Sequence, residues 1–307
     1  MATERNAVLG SLFTDEVGSM STRTGLTPPH AEYFPPPAGR IPTLRWWATL
    51  RGDVQQVARF WPVIQNMVSQ ELQVRYQRSV LGFVWTLLNP ILMMLIMTIV
   101  FSKLLGGSVR EYAVHLFAGM VPWGLLAGTI NECAFCILQN EGLIRKIYLP
   151  KLIFPLVRLL INITTFSFSL IALYLLLMPM GASISWSLVC LPIITACFAV
   201  FALGLGLIVA VANTFFRDCS HLVGVLLQAW YFATPIIYRL DNLPPEDRWK
   251  FWLNPAYPFI HMFQTVIRDG LWPDPATLGL SAVIAVTALG VGYAAFKSYE
   301  DELIFRL

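Results

Sequence analysis

Charge is what this chain has least of. Lys and Arg number 21 and Asp and Glu 18 in 307 residues, so 13% of positions are charged. Ordinary globular domains carry roughly 25%. With 56% hydrophobic residues and a mean hydropathy of +0.63, a soluble fold is a poor fit. The net charge of +3 is too small to argue for nucleic acid, and the basic residues sit beside apolar runs instead of forming a stripe. No Gly-x-x-x-x-Gly-Lys-[Ser/Thr] segment occurs, so the chain has no loop of its own to cradle nucleotide phosphates. Histidine is sparse and scattered (His30, His115, His221, His261), and no Asp-x-Asp occurs. Both absences weigh against a multi-span membrane transferase, which needs a catalytic constellation at the membrane edge. Of the five cysteines, Cys133 and Cys136 form a Cys-x-x-Cys without a second ligand pair. They read as buried small side chains, not as a metal or redox site.

The first 39 residues lack an apolar core of signal-peptide length and carry Glu4, Asp15, Glu16 and Glu32, so no cleavable signal is expected. Their Pro28-Pro29 and Pro35-Pro36-Pro37 steps predict a disordered extension over 1–39 with no assigned function.

What the chain does have is long apolar runs. Leu159–Phe216 contains no charged residue and exceeds the roughly 20 residues that one span needs. Pro179-Met180-Gly181-Ala182-Ser183 divides it into two spans. Val80–Ser102, Ala113–Gln139, His221–Tyr238 and Pro275–Phe296 bring the expected count to six. Backbone groups in lipid must pair within their own segment, which makes each run a helix. The fold expected is therefore an all-α membrane protein, with a six-span domain over 80–307.

Arg75, Arg78, Arg145, Lys146, Lys151, Arg217, Lys297 and Arg306 fall on one set of ends, and Lys103 and Arg110 on the other. The richer side should be cytoplasmic, which places both termini inside. Within 40–79, Val54, Val57, Phe60, Trp61, Ile64, Met67, Val68 and Leu72 recur at helical spacing, predicting an amphipathic helix along the membrane surface. The stretch 239–275 is apolar in short pieces and broken by Pro255 and Pro258, which predicts short re-entrant helices before the last span. Glu132 and Arg158 lie near the ends of the second and third spans, and a structural ion pair between them is expected. A secondary transporter is disfavoured, since the halves show no repeat and few buried charges.

Between the second and third spans, 140–152 form a compact basic loop in which Gly142 and Pro150 bracket one helical turn. Such a segment is what a membrane channel would present to a soluble partner. Leu143-Ile144-Arg145-Lys146-Ile147-Tyr148-Leu149-Pro150-Lys151, running on to Leu156, resembles the same loop in type-2 ABC permeases that export polysaccharides. Asn213-Thr214-Phe215-Phe216-Arg217-Asp218, Ala233-Thr234-Pro235-Ile236-Ile237-Tyr238 with Leu253-Asn254-Pro255, and Arg75-Tyr76-Gln77-Arg78 with Asn89-Pro90 are similar to the family in order and spacing. The resemblance covers roughly Leu44 to Leu307 and departs at His261 and Gln264, where relatives often carry an acidic and a basic residue.

That resemblance implies a homodimer in the bacterial cytoplasmic (inner) membrane, paired with two copies of a separate ABC ATPase. ATP and Mg would be bound by the ATPase, and no cofactor by this chain. The cargo would be a lipid-linked glycan such as O-antigen, capsule or teichoic acid; a permease for drugs or small lipids is the rival reading. The residues expected to touch the ATPase are Glu141, Gly142, Leu143, Ile144, Arg145, Lys146, Tyr148 and Lys151, although orientation bias alone also places basic residues here. Arg75 and Arg78 are candidates for the lipid pyrophosphate, since guanidinium forks suit phosphate oxygens, with simple membrane anchoring as the alternative. Tyr231, Phe232, Tyr238, Trp249, Trp252 and Tyr257 are candidates for an outer gate that stacks on sugars, or else form an ordinary interfacial belt.

Overall fold

The computed structural model describes residues 46–77, 84–105, 109–177, 185–240 and 244–306. Every regular element among the described residues is helical. The principal helices are α1 Trp46–Arg59, α2 Trp61–Tyr76, α3 Val84–Leu105, α4 Val109–Cys136 and α5 Ile153–Leu177, followed by α6 Leu191–Phe215, α7 Cys219–Ala233, α8 Tyr257–Gln264 and α9 Pro275–Arg306. By length and composition, Val109–Cys136, Ile153–Ala172, Trp186–Phe215 and Pro275–Leu303 can each cross a membrane. Ile91–Phe101 within α3 and Cys219–Ala233 are shorter apolar helical stretches. Four of the six expected runs thus reach spanning length among the described residues. The expected break at 179–183 lies outside them, as does Arg78.

Local chemistry sets the helix ends. Pro192 occupies the first turn of α6, where its missing N–H costs nothing. Thr234, which closes α7, is driven to extended backbone by Pro235. Hydroxyls inside the spans bond back along their own helix. Thr164, Thr165, Ser167 and Ser169 each donate to the carbonyl four residues earlier, at 2.8–3.0 Å. No polar group of theirs is then left facing lipid without a partner.

The single amphipathic helix expected over 54–72 is two helices. The chain breaks at Phe60 (φ −91°, ψ 13°) with Pro62 in the first turn of α2. A proline ring crowds the carbonyl four residues back and removes an N–H donor, which favours a break or a kink at this point. Ile64 is fully buried, and Val57, Phe60, Met67, Val68 and Leu72 pack on the same core. Much of the apolar stripe is therefore covered by the bundle itself.

Helix α4 is the hub and packs against α3, α5, α6, α7 and α8. Buried side chains divide into two cores. One lies at the end carrying α1, α2 and the 140–152 loop and is built on Ile64, Leu143, Phe154, Phe296 and Leu303. The other is larger and collects Phe117, Phe198, Phe201, Phe259 and Phe263. Phe198 and Phe201 pack on Phe259 with ring centroids 5.1 Å apart, seating α8 against α6. The most extensive pairing joins α6 and α9, and there the backbones almost touch. A Cβ on Gly292 would lie 2.1 Å from the Gly204 carbonyl oxygen.

Candidate functional site

At the loop end, α4 stops at Cys136 and the chain passes through a 3-10 turn, Leu138–Asn140, into the one-turn helix Glu141–Ile144. Asn140 Nδ2 donates to the Cys136 carbonyl at 2.7 Å, satisfying one of the acceptors a helix end leaves open. Leu143 and Leu149 are buried and anchor the turn in the loop-end core. The eight residues expected to meet a partner consequently split. Arg145, Lys146 and Tyr148 are exposed, Tyr148 at 66%. Glu141, Gly142 and Ile144 are half-buried. Arg145 pairs with Glu141 at 2.8 Å across one turn, the spacing at which such pairs form on a helix.

Lys151 turns inward, and its Nζ donates to the backbone carbonyl of Glu300 on α9. Burial pushes its ammonium pKa below the ordinary lysine value, against the pull of Glu300 and Asp301. From there the polar contacts continue. Lys297 bridges Glu300 (2.7 Å) and Asp53 (3.1 Å), and the Tyr293 hydroxyl donates to Asp53 at 2.6 Å. The loop, the end of α9 and helix α1 are thereby joined through named side chains.

Glu132 and Arg158 do not pair with each other, contrary to the sequence expectation. Glu132 takes Arg75 (2.8 Å) through one oxygen and the Asn162 amide (3.0 Å) through the other. Arg158, buried, donates to Glu71 at 2.9 Å and to Gln139 at 3.0 Å. Each span charge thus finds its partner on α2. The crossed arrangement neutralises both, as low-dielectric burial demands, and it clamps α2 to α4 and α5. Arg75 accordingly arrives at the loop end already engaged.

At the opposite end, Asn254 organises the chain between α7 and α8. Its Oδ1 accepts from Trp230 Nε1 (2.7 Å) and from the Ala256 N–H (3.0 Å), while Nδ2 donates to Thr234 Oγ1 (2.9 Å). The expected gate aromatics fall into two groups, since Phe251 also packs on Tyr257. Tyr231 packs on Trp123 and Phe232, Tyr238 on Phe251, and Trp252 on Tyr257. Phe232 and Trp249 stand exposed at 55% and 60%. Three contributors escaped the sequence reading: Trp123, His115 and Arg268. Each is a single aromatic or polar side chain in or beside an apolar run, and that was the signal available.

A cavity of about 220 Å³ opens between α4, α8 and the segment before α8. His115, Arg248, Trp252, Tyr257, His261 and Arg268 are among its walls. Beyond α8 the chain makes a π-turn, Thr265–Asp269, closed by Gly270 at φ 66°, a left-handed conformation that glycine adopts without strain. That turn points Arg268 back toward α4, where Nη1 lies 3.2 Å from His115 Nδ1. His115 Nε2 sits 3.3 Å from the Tyr238 carbonyl. The guanidinium can only donate and the carbonyl can only accept, so the imidazole is neutral with its proton on Nε2.

The sequence of the chain is similar to that of known proteins. Residues 62–267 match the family described as ABC-2 type transporter. An O-antigen export system permease protein of Myxococcus xanthus is 29% identical over 251 residues, covering 81% of this chain and 96% of the relative. One of the same description from Klebsiella pneumoniae is 28% identical over 207 residues, covering 67% and 80%. A polysialic acid transport protein of Escherichia coli is 22% identical over 269 residues, covering 82% and 97%. An all-helical bundle with membrane-length apolar helices and a compact basic loop agrees with that match, and this chain belongs to the ABC-2 type transporter membrane family.

Proposed function

We propose that this chain is the permease subunit of an ATP-driven exporter that moves a lipid-linked polysaccharide across the cytoplasmic membrane. The observation that carries the reading is the loop-end turn. Arg145, Lys146 and Tyr148 are presented outward, while Leu143 and Lys151 fasten the same turn into the bundle. A push on the exposed face is then delivered to α4, α5 and α9 instead of being absorbed by a floppy loop. The chain is a transport subunit and not an enzyme. Two copies of a separate ABC ATPase, holding ATP and Mg, would dock there. Two copies of the permease would form the channel, each with six spans and both termini cytoplasmic, and α1 and α2 would lie at the inner membrane surface. The glycan reading draws on relatives named for O-antigen export and polysialic acid transport.

In this arrangement Arg75, with Arg78 close behind it in the chain, meets the lipid pyrophosphate at the inner headgroup level. A phosphate arriving there competes with Glu132 for the Arg75 guanidinium. Such charge-assisted contacts contribute roughly 1.5–3 kcal/mol each. At the other end Tyr231, Phe232, Tyr238, Trp249, Trp252 and Tyr257 would surround the exit.

The decisive experiment reconstitutes the permease with an ABC ATPase in vesicles and follows ATP-dependent movement of a polyprenyl-pyrophosphate-linked glycan. Transport that needs ATP, together with no ATP hydrolysis by the permease alone, is the expected result. Turnover of ATP by the lone chain refutes the proposal. So does a complex that moves small lipids or drugs and leaves the glycan behind.

A further inference from the structure

The exporter reading assigns nothing to the turn at 213–218, which carries the chain from α6 into α7. Its inner residue, Asn213, is fully buried and commits both ends of its amide to backbone. Nδ2 donates to the Ala134 carbonyl near the end of α4 at 2.7 Å, and Oδ1 accepts from the Ser220 N–H at 2.9 Å. The Phe216 N–H donates to the Ala212 carbonyl and the Phe216 carbonyl accepts from the Cys219 N–H, both at 2.9 Å. The Ser220 hydroxyl donates to the Arg217 carbonyl at 3.1 Å. The backbone is thus pinned on both sides of Phe216, yet the Phe216 ring stands 71% exposed, with Arg217 and Asp218 exposed beside it.

Single exposed apolar side chains are ordinary, and what sets this one apart is its place. Helix α9 carries no charge over 275–296, 22 residues or about 33 Å, enough to fill a hydrocarbon core of about 30 Å, and Lys297 marks the end of that stretch. Phe215 meets α9 beyond the mark. Its ring lies 5.4 Å from that of Tyr299, and the Arg306 guanidinium stands 5.5 Å above it. The turn that follows is therefore clear of the acyl chains. One residue along α9 from Tyr299, the Glu300 carbonyl accepts from Lys151. The 140–152 loop and the 213–218 turn accordingly flank the same helix end, and Leu143 and Phe215 pack into the same core.

We infer that the 216–218 turn is a second docking point for the ABC ATPase, with the Phe216 ring seated in an apolar recess of that partner and Arg217 and Asp218 paired around it. The inference rests on the exporter reading for the partner and extends the docking face beyond the 140–152 loop. Two observations commit the turn to this occupant: its continuity with the loop through α9 and a shared core, and its level past the charge-free stretch. An aromatic anchor within a charged rim is the arrangement in which a few residues carry most of an interface's affinity, and a pinned backbone loses little freedom on binding. The loop transmits to α4 and α5 and the turn to α6 and α7, so a partner holding both can move one helix pair against the other.

The test places the permease in nanodiscs with the ABC ATPase that supports its export. A photoreactive benzoylphenylalanine replaces Phe216 or, as the reference site, Tyr148. Illumination should join permease to ATPase from both positions. Phe216→Ala should raise the Kd for the ATPase at least about tenfold, the loss expected when a central aromatic anchor is truncated. The same variant should melt with the wild type, since the ring is exposed, so weaker binding would not reflect a damaged bundle. Cross-links from position 216 that reach only lipid or the second permease copy overturn the inference, as does an unchanged Kd. Capture of the ATPase from Tyr148 alone overturns this inference and leaves the exporter reading standing. Capture from neither position, with no ATPase bound by the wild type, overturns both.

Discussion

Alanine at Gly292 and alanine at Gly290 should have opposite effects, though the positions are two residues apart on α9. The helix-propensity gain from Gly to Ala is about 0.8–1 kcal/mol at either site and cancels in the comparison. What remains is space. A Cβ at 292 would lie 2.1 Å from the Gly204 carbonyl oxygen and 2.8 Å from its carbonyl carbon, where ordinary contact begins near 3.4 Å. Both obstacles are backbone, so no rotamer can relieve the clash, and α6 and α9 must separate by about 1 Å along their tightest stretch. Overpacking of this kind costs about 1–3 kcal/mol. At 290 nothing lies within 4 Å. The two variants should therefore differ by about 1–3 kcal/mol, or roughly 2–10 °C in melting temperature for a chain of this size. Heating the purified protein in detergent and measuring the monodisperse fraction reads this difference directly. A Gly292→Ala variant as stable as Gly290→Ala would refute the close α6–α9 contact.

Other outcomes follow from the same side chains. Reversing Arg145 and Lys146 to Glu together should abolish ATP-dependent transport while the ATPase still co-purifies; undiminished transport with the partner bound would reduce the loop to an orientation signal. Arg158→Gln breaks the part-buried pair to Glu71 and should cost about 3 kcal/mol or less, whereas Arg75→Gln, at a more exposed pair, should cost about 1 kcal/mol or less; equal melting points would count against the crossed clamp. Asn254→Ala removes four side-chain hydrogen bonds, at about 1 kcal/mol or less each, and limited proteolysis between Thr234 and Tyr257 should accelerate. The double variant Arg75→Gln, Arg78→Gln should insert normally but lose glycan export, measured against wild type in the same vesicles.

The helical fold was readable because its signal is local. Charge-free runs such as Leu159–Phe216 declare themselves one window at a time, and so does the Leu143–Lys151 turn between its glycine and proline. Contacts between distant segments were not readable. Glu132 and Arg158 looked like a pair because they bracket one loop, yet their partners Arg75 and Glu71 lie 57 and 87 residues away on α2. Lys151 read as one of the cations that meet the ATPase, since nothing near it in the chain announces a carbonyl 149 residues distant. The break at Phe60 was legible in Pro62 but was masked by a hydrophobic periodicity that continues through it. His115 carried no pattern at all, and only the π-turn brings Arg268 to it.

The touching glycines also decide how α9 can move. The helix is continuous from Pro275 to Arg306, with its closest backbone contact at Gly292 and its polar fastening at Lys297 and Glu300. At about 1.5 Å per residue, the pivot stands about 12 Å from Glu300 and about 25 Å from Pro275. A rigid rod on that fulcrum doubles its stroke. An ångström of travel imposed on Lys151 would emerge as about two at the far end, a lever ratio set by where two side chains are missing.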